Sequence, residues 1–284
     1  MRGEASRKVF CKASPPMSNP RRKSVKKTLC LAATAVLLTA VAFGQDAKSV
    51  PMSARDNVLD AGRAPLLKNP VVKDTTPKVP SYCKPCLFYG GDFDSTNANA
   101  NGLASEKDLI VSQSEILNPF LVPTGHSWSV TGVFGNTLST VGVIDPAQAD
   151  WSIRTGVSSG NGGTIVASGT SAATYNATGR NGFGLNEYTV FVDLSGSPVS
   201  LSSGHYFLEV VPYCTNPNDS NCGSARYFES DTQGINRQGR QTKDDSFWNS
   251  SFFGANYAPT WGSTGGCAGL GCDWFSTGVR GAFQ

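Results

Sequence analysis

From Ser81 onward, short runs of alternating apolar and polar residues recur every roughly 8 to 15 positions, each bounded by Gly, Pro, Asn or Ser. The clearest are Trp128–Phe134, Ala149–Arg154, Thr164–Ser168, Glu187–Val192 and Tyr206–Val211. Fainter ones cover 87–89, 108–111, 116–122, 172–176 and 225–229. The two-residue period sets Trp128, Val130 and Phe134 on one strand face, with Gly132 completing the series. It likewise pairs Trp151 with Ile153 and turns Ser152 and Arg154 the other way. About ten such strands without a long helical pattern predict an all-β domain over residues 81–284, an antiparallel β-sandwich or jelly roll.

Upstream the pattern differs. Arg21, Arg22, Lys23, Lys26 and Lys27 precede an apolar run from Leu29 to Val41, and Ala42 and Gly44 supply a small-x-small cleavage site. Residues 1–44 therefore read as a signal peptide, cut before Gln45, with Met17 as the alternative true start. The run is too short for the roughly 20 residues of a membrane-spanning helix. Ser24 stands where a twin-arginine signal prefers a bulky apolar residue, so the general secretory route is expected. Residues 45–80 hold ten charged residues, five prolines and no aromatic residue, and read as a flexible linker. The expected mature protein is exported, acts outside the cell or in its envelope, and has no membrane span.

Composition sharpens this picture. Only 16% of residues are charged, against 31 glycines, which suits tight turns better than helix surfaces. The chain's formal charge of +3 comes from the signal, since residues 1–44 hold nine basic residues and one acidic, while from Gln45 onward the net is −5. Residues 81–284 hold 9 basic and 16 acidic side chains, a net of −7, which excludes a nucleic-acid footprint.

Six cysteines follow the signal: Cys83, Cys86, Cys214, Cys222, Cys267 and Cys272. In an exported chain an even number predicts disulfides, and the spacing suggests local pairs. Cys214 and Cys222 would staple the end of one strand to the start of the next. Cys83-Lys-Pro-Cys86 also has redox or zinc spacing, and Cys83, Cys86, Cys267 and Cys272 could form an all-cysteine site.

The stretch from Asp92 to Gly102 is the ion-site candidate. Asn97, Asn99, Asn101 and Asp108 match calcium-loop positions, with Asp92 and Asp94 just upstream. The matched positions offer one carboxylate, so an ion-free Asn-rich turn is expected, and any calcium would be structural. The two histidines, His126 and His205, follow glycine in similar turns and are expected to sit apart at two strand entrances.

Catalytic signatures are sparse: the sequence has no nucleophile elbow and no His-Glu-x-x-His. A glycosidase-like carboxylate pair could come from Glu115, Glu187, Glu209, Glu229 or Asp244-Asp245, with Glu187 and Glu209 expected to face solvent. The last 39 residues carry nine of the 28 aromatics. Phe252 and Phe253 are expected in the core. Trp248, Tyr257 and Trp261 are the candidate sugar-stacking strip.

The run Trp151-Ser-Ile-Arg-Thr-Gly-Val-Ser-Ser-Gly-Asn-Gly-Gly-Thr-Ile-Val-Ala-Ser-Gly-Thr, with Thr178-Gly-Arg and Gly184-Leu-Asn-Glu-Tyr, resembles a group of exported bacterial proteins. Phe88-Tyr-Gly-Gly-Asp-Phe-Asp and Ser251-Phe-Phe-Gly-Ala-Asn-Tyr resemble it too. Many of its members carry a PEP-CTERM sorting tail. The Pro-Glu-Pro motif, apolar anchor and basic end of that tail have no counterpart in this sequence. The resemblance spans most of 87–257 and implies an exported β-sandwich protein, with no catalytic residues to carry over. The expected function is non-catalytic binding or surface organisation, with a neutral polysaccharide or cell-surface component as partner and no cofactor. A secreted carbohydrate-active enzyme on the same fold is the alternative.

Overall fold

Alternating β-branched and aromatic residues have a direct structural consequence: each strand has one face to bury, and two sheets bury them against each other. The structure, a computed structural model, describes residues 80–93, 102–145, 147–232, 234, 236–240, 242, 244–253, 262–263 and 274–284. The expected signal peptide and all but the last residue of the expected linker lie outside these. Within them the protein is all-β and antiparallel, with a single 3₁₀ turn at Ser220–Gly223. Among the described residues no helix is long and apolar enough to cross a membrane.

The strands are β1 (Cys86–Tyr89), β2 (Gly102–Ala104), β3 (Glu115–Val122), β4 (Trp128–Ser139), β5 (Gln148–Thr155), β6 (Thr164–Gly182) and β7 (Leu185–Asp193). They continue with β8 (Val199–Leu201), β9 (Gly204–Tyr213), β10 (Tyr227–Ser230), β11 (Phe247–Asn249), β12 (Gly262–Ser263) and β13 (Thr277–Phe283). Hydrogen bonding runs β1-β13-β4-β7-β6-β5-β9-β3-β11-β12, with β8 and β10 also on β4 and β2 on β10. The turning point is β6. Its first half pairs with β5 and its second half with β7, so one 19-residue strand belongs to both layers. The layer β1-β13-β4-β7 and the layer β5-β9-β3 enclose a core that includes Phe88, Phe120, Trp128, Val133, Trp151, Val192, Leu208 and Val279. The sequence showed β6 only as two fragments, because most of its first half is exposed and carries no one-sided apolar pattern.

One strand departs from the expected alternation. Trp128 and Val130 face the core, but so does Val133, while Phe134 joins a separate cluster with Tyr89 and Phe191. The cause is a bulge: β13 pairs Gly281 with Val130 and Arg280 with Gly132, leaving Thr131 as an extra residue. The extra residue flips the faces beyond it. The Thr131 carbonyl is not wasted, since Leu194 N and Arg280 NH2 both donate to it.

Cys83 pairs with Cys86, and Cys214 with Cys222. The second bond joins the residue after β9 to the 3₁₀ turn, and closing so short a loop is worth about 2–3 kcal/mol in the chain-entropy picture. Cys267 and Cys272 lie outside the described residues.

Candidate functional site

The outward-facing residues of β5 meet those of two neighbours across the sheet. Ser152 stands directly opposite Glu209 of β9, and Asp150 opposite Val211. Glu115 opens β3, on the far side of β9. Together with Arg154, Trp151 and the β6 residues Ile165, Ser168, Gly169 and Thr170, these side chains line a groove of about 270 Å³. The orientation of Ser152 and Arg154 follows from the strand alternation. Gly169 lies opposite Trp151, and its missing side chain lets the indole approach; Trp151 Nε1 donates to Ser171 Oγ at 3.0 Å.

Positive and negative groups are interleaved. Arg154 NH2 donates to Glu209 Oε2 at 3.2 Å and its Nε to Ser152 Oγ at 2.9 Å, while Ser152 Oγ donates to Glu209 Oε2. Lys107 Nζ reaches Asp150 Oδ2 at 2.8 Å, and Thr170 Oγ1 donates to Asp150 Oδ1. Burial pushes the Glu209 carboxyl up to about 7, the neighbouring Glu115 adds to the rise, and Arg154 and Ser152 oppose it. Burial also raises Glu115 above the ordinary carboxylate range, against Gln113, Arg154 and Lys107. The groove therefore offers three carboxyl groups, one of which, Glu209, exchanges its proton near neutrality, together with the Arg154 guanidinium and three hydroxyls, and Lys107 is paired to Asp150. Such a set can hydrogen-bond a polyhydroxylated ligand from several sides.

Glu209 and Glu187 do not face solvent as expected; both are buried. Glu187 belongs to a second polar cluster on the opposite layer, where Arg180 Nε donates to Glu187 Oε2 and Arg180 NH1 meets Asp92 Oδ1 at 2.8 Å. Tyr89 OH also donates to Asp92 Oδ1, and Asn236 Nδ2 to Asp92 Oδ2 at 2.7 Å. Of the calcium-loop candidates, Asp92 and Asp108 are among the described residues. Both Asp92 oxygens are engaged, one by a guanidinium that would repel a second cation. Asp108 Oδ1 caps the Ile110 and Val111 amides at 2.7 and 2.8 Å. Asp94, Asn97, Asn99 and Asn101 lie outside the described residues.

The aromatic strip meets a similar limit. Trp248 is buried among Phe93, Phe228, Phe253 and Phe275, and its Nε1 donates to Ser114 Oγ at 2.9 Å, so it presents no open ring face. Phe253 is buried and Phe252 packs against the same cluster. Tyr257 and Trp261 lie outside the described residues. Glu229 is fully enclosed, accepting from Asn118 Nδ2, and burial holds its carboxyl well above the usual range. His205 Nδ1 pairs with Asp244 Oδ2 at 3.1 Å on the surface, whereas His126 lies beside Phe283.

Among the described residues, the one trio of ligating atoms lying within 4.8 Å of one another is Cys214, Asp219 and Cys222. Two of these are joined in a disulfide. Comparison with protein-family models, with curated proteins and with solved structures yields no match to this chain.

Proposed function

We propose that the mature protein is exported and binds, without catalysis, a neutral polyhydroxylated ligand in the β3-β9-β5-β6 groove. The ligand class is a sugar unit of a polysaccharide or cell-surface glycan. The observation that carries this reading is the interleaving of Glu115, Asp150 and Glu209 with Arg154, Ser152 and Thr170 around one groove, with Lys107 paired to Asp150. Vicinal hydroxyls donate to carboxylates and accept from guanidinium and hydroxyl groups, and fixed polar partners of this kind set specificity in small pockets. The net charge of −7 over residues 81–284 favours a neutral ligand over an anionic polymer. The two disulfides are compatible with an oxidising compartment. A glycan array probed with the chain from Gln45 onward tests the reading. Retention on neutral glycans is expected, falling about tenfold or more in Asp150→Asn and Glu115→Gln, as for removal of a charge-assisted hydrogen bond, with melting temperature little changed. Failure of the wild-type chain to bind any neutral glycan would overturn it.

A second reading, glycoside hydrolysis, is favoured by one observation: Glu209 and Glu115 line the same groove and both have raised pKa values. Release of reducing sugar by the wild-type chain, abolished in Glu209→Gln, would select hydrolysis over binding.

A further inference from the structure

The two ends of the strand path are closed off. At one end β1 spans only Cys86–Tyr89, and Gln238 bridges its outer edge, exchanging backbone hydrogen bonds with Tyr89 at 2.9 Å in both directions. At the other end β12 is two residues long. Short or covered edges of this kind are how sheets avoid pairing with other chains. The first half of β6 is treated differently. From Thr164 to Ala172 it pairs with β5 on one side, and among the described residues no strand lies on the other. Thr164, Ile165 and Val166 are all exposed, Ile165 by 53% and Val166 by 42%, and from Ala167 to Ala172 half-buried and exposed residues alternate. Between Arg154 and Arg180 the sequence contains no charged residue and no proline, so two of the usual guards against edge pairing are missing; a bulge that leaves Val166 as an extra residue against β5 is the guard that remains.

We propose that this edge pairs with the same edge of a second copy, forming a twofold-symmetric antiparallel dimer through β6. The occupant follows from symmetry and charge. An antiparallel strand pair is self-complementary, so one surface serves both partners and the contact closes. A twofold axis through Ser168 sets Thr164 of one copy against Ala172 of the other, with the bulge residue Val166 interrupting the ladder. Residues 81–284 carry a net charge of −7, so two copies repel at most orientations, and this charge-free stretch is a seam where they can meet. The expected linker, with ten charged residues and five prolines in 36, is poorly suited to fill a strand edge. The proposal does not depend on what the groove binds.

Sedimentation of the chain from Gln45 onward, run over a wide concentration range, is the test. The expected result is a monomer–dimer equilibrium that persists in high salt, together with hydrogen-exchange protection of Thr164–Ala172 that rises with concentration. The double variant I165K/V166K, at exposed positions, is expected to weaken dimerisation about tenfold or more by placing unpaired charges in the seam, with melting temperature unchanged. A wild-type chain that stays monomeric, an open-ended polymer, or an unweakened dimer in the folded variant would overturn the proposal. Protection, in dilute monomer, of those Thr164–Ala172 amides that point away from β5 would overturn it too, since a segment of the same chain would then cover the edge.

Discussion

Glu209 and Glu106 each lie inside the protein beside an arginine, and in both burial outweighs the ion pair and pushes the carboxyl to about 7. Glu209 faces Glu115, Asp150, Arg154 and Ser152; Glu106 faces Arg226, Asp108 and the Tyr227 amide. The native state therefore holds protons that the unfolded chain releases at about 4.5. The stabilisation is fully present below about 4.5 and is lost as pH rises to about 7, at up to about 3 kcal/mol per group. Melting temperature should accordingly fall across that window, and Glu209→Gln, which keeps the shape without the ionisation, should flatten part of the slope. Thermal scans at a series of pH values would contradict this by showing a rise, or an unaltered slope in the variant. Strand alternation made it legible that Ser152 and Arg154 turn away from the core. That Glu209 and Glu115 share their groove was not legible, because the pairing of β9 with β3 and β5 joins segments distant in sequence.

At the level of elements, the glycines carry more than turns. Gly278 in β13 lies opposite Phe134 in β4, and a Cβ there would sit 2.1 Å from the Phe134 ring. The ring needs bare backbone beneath it. Gly278→Ala should therefore destabilise the fold by about 1–3 kcal/mol through overpacking. Shortening Phe134 to Leu in the same chain should recover part of the loss. Urea denaturation of the single and double variants checks this, and additive losses would refute the steric cause. From composition alone the glycines read as turn residues, since periodicity cannot reveal which ring lies across the sheet. The strands themselves were largely legible, and so was the Cys214–Cys222 staple. The Thr131 bulge was not, because one extra residue leaves no mark on local propensity yet reverses every face beyond it. Nor was the continuity of β6, whose exposed first half lacks the one-sided pattern that strand reading depends on.

For the molecule as a whole, the membership of β6 in both layers has a kinetic side. β6 joins β7 through the two-residue turn Phe183-Gly184, both with positive φ (56° and 79°), and joins β5 through residues 156–163. Here Phe183 tolerates the left-handed region because its ring is buried beside Phe93. These pairings close small loops. β3 with β9 and β4 with β13 join residues far apart in the chain, as Val122 with Gly204 and Gly135 with Thr277 show. Small loops close at lower entropic cost and so form earlier. The β5-β6-β7 meander should therefore form the folding nucleus, delivering the shared strand before either layer is complete. In stopped-flow refolding, Val192→Ala in β7 should mainly slow folding, whereas Val279→Ala in β13 should mainly speed unfolding, although both side chains are fully buried in the same core. The opposite partition would place the nucleus in the long-range pairs. If the meander leads, the strand that ties the layers together is also the template on which each of them assembles.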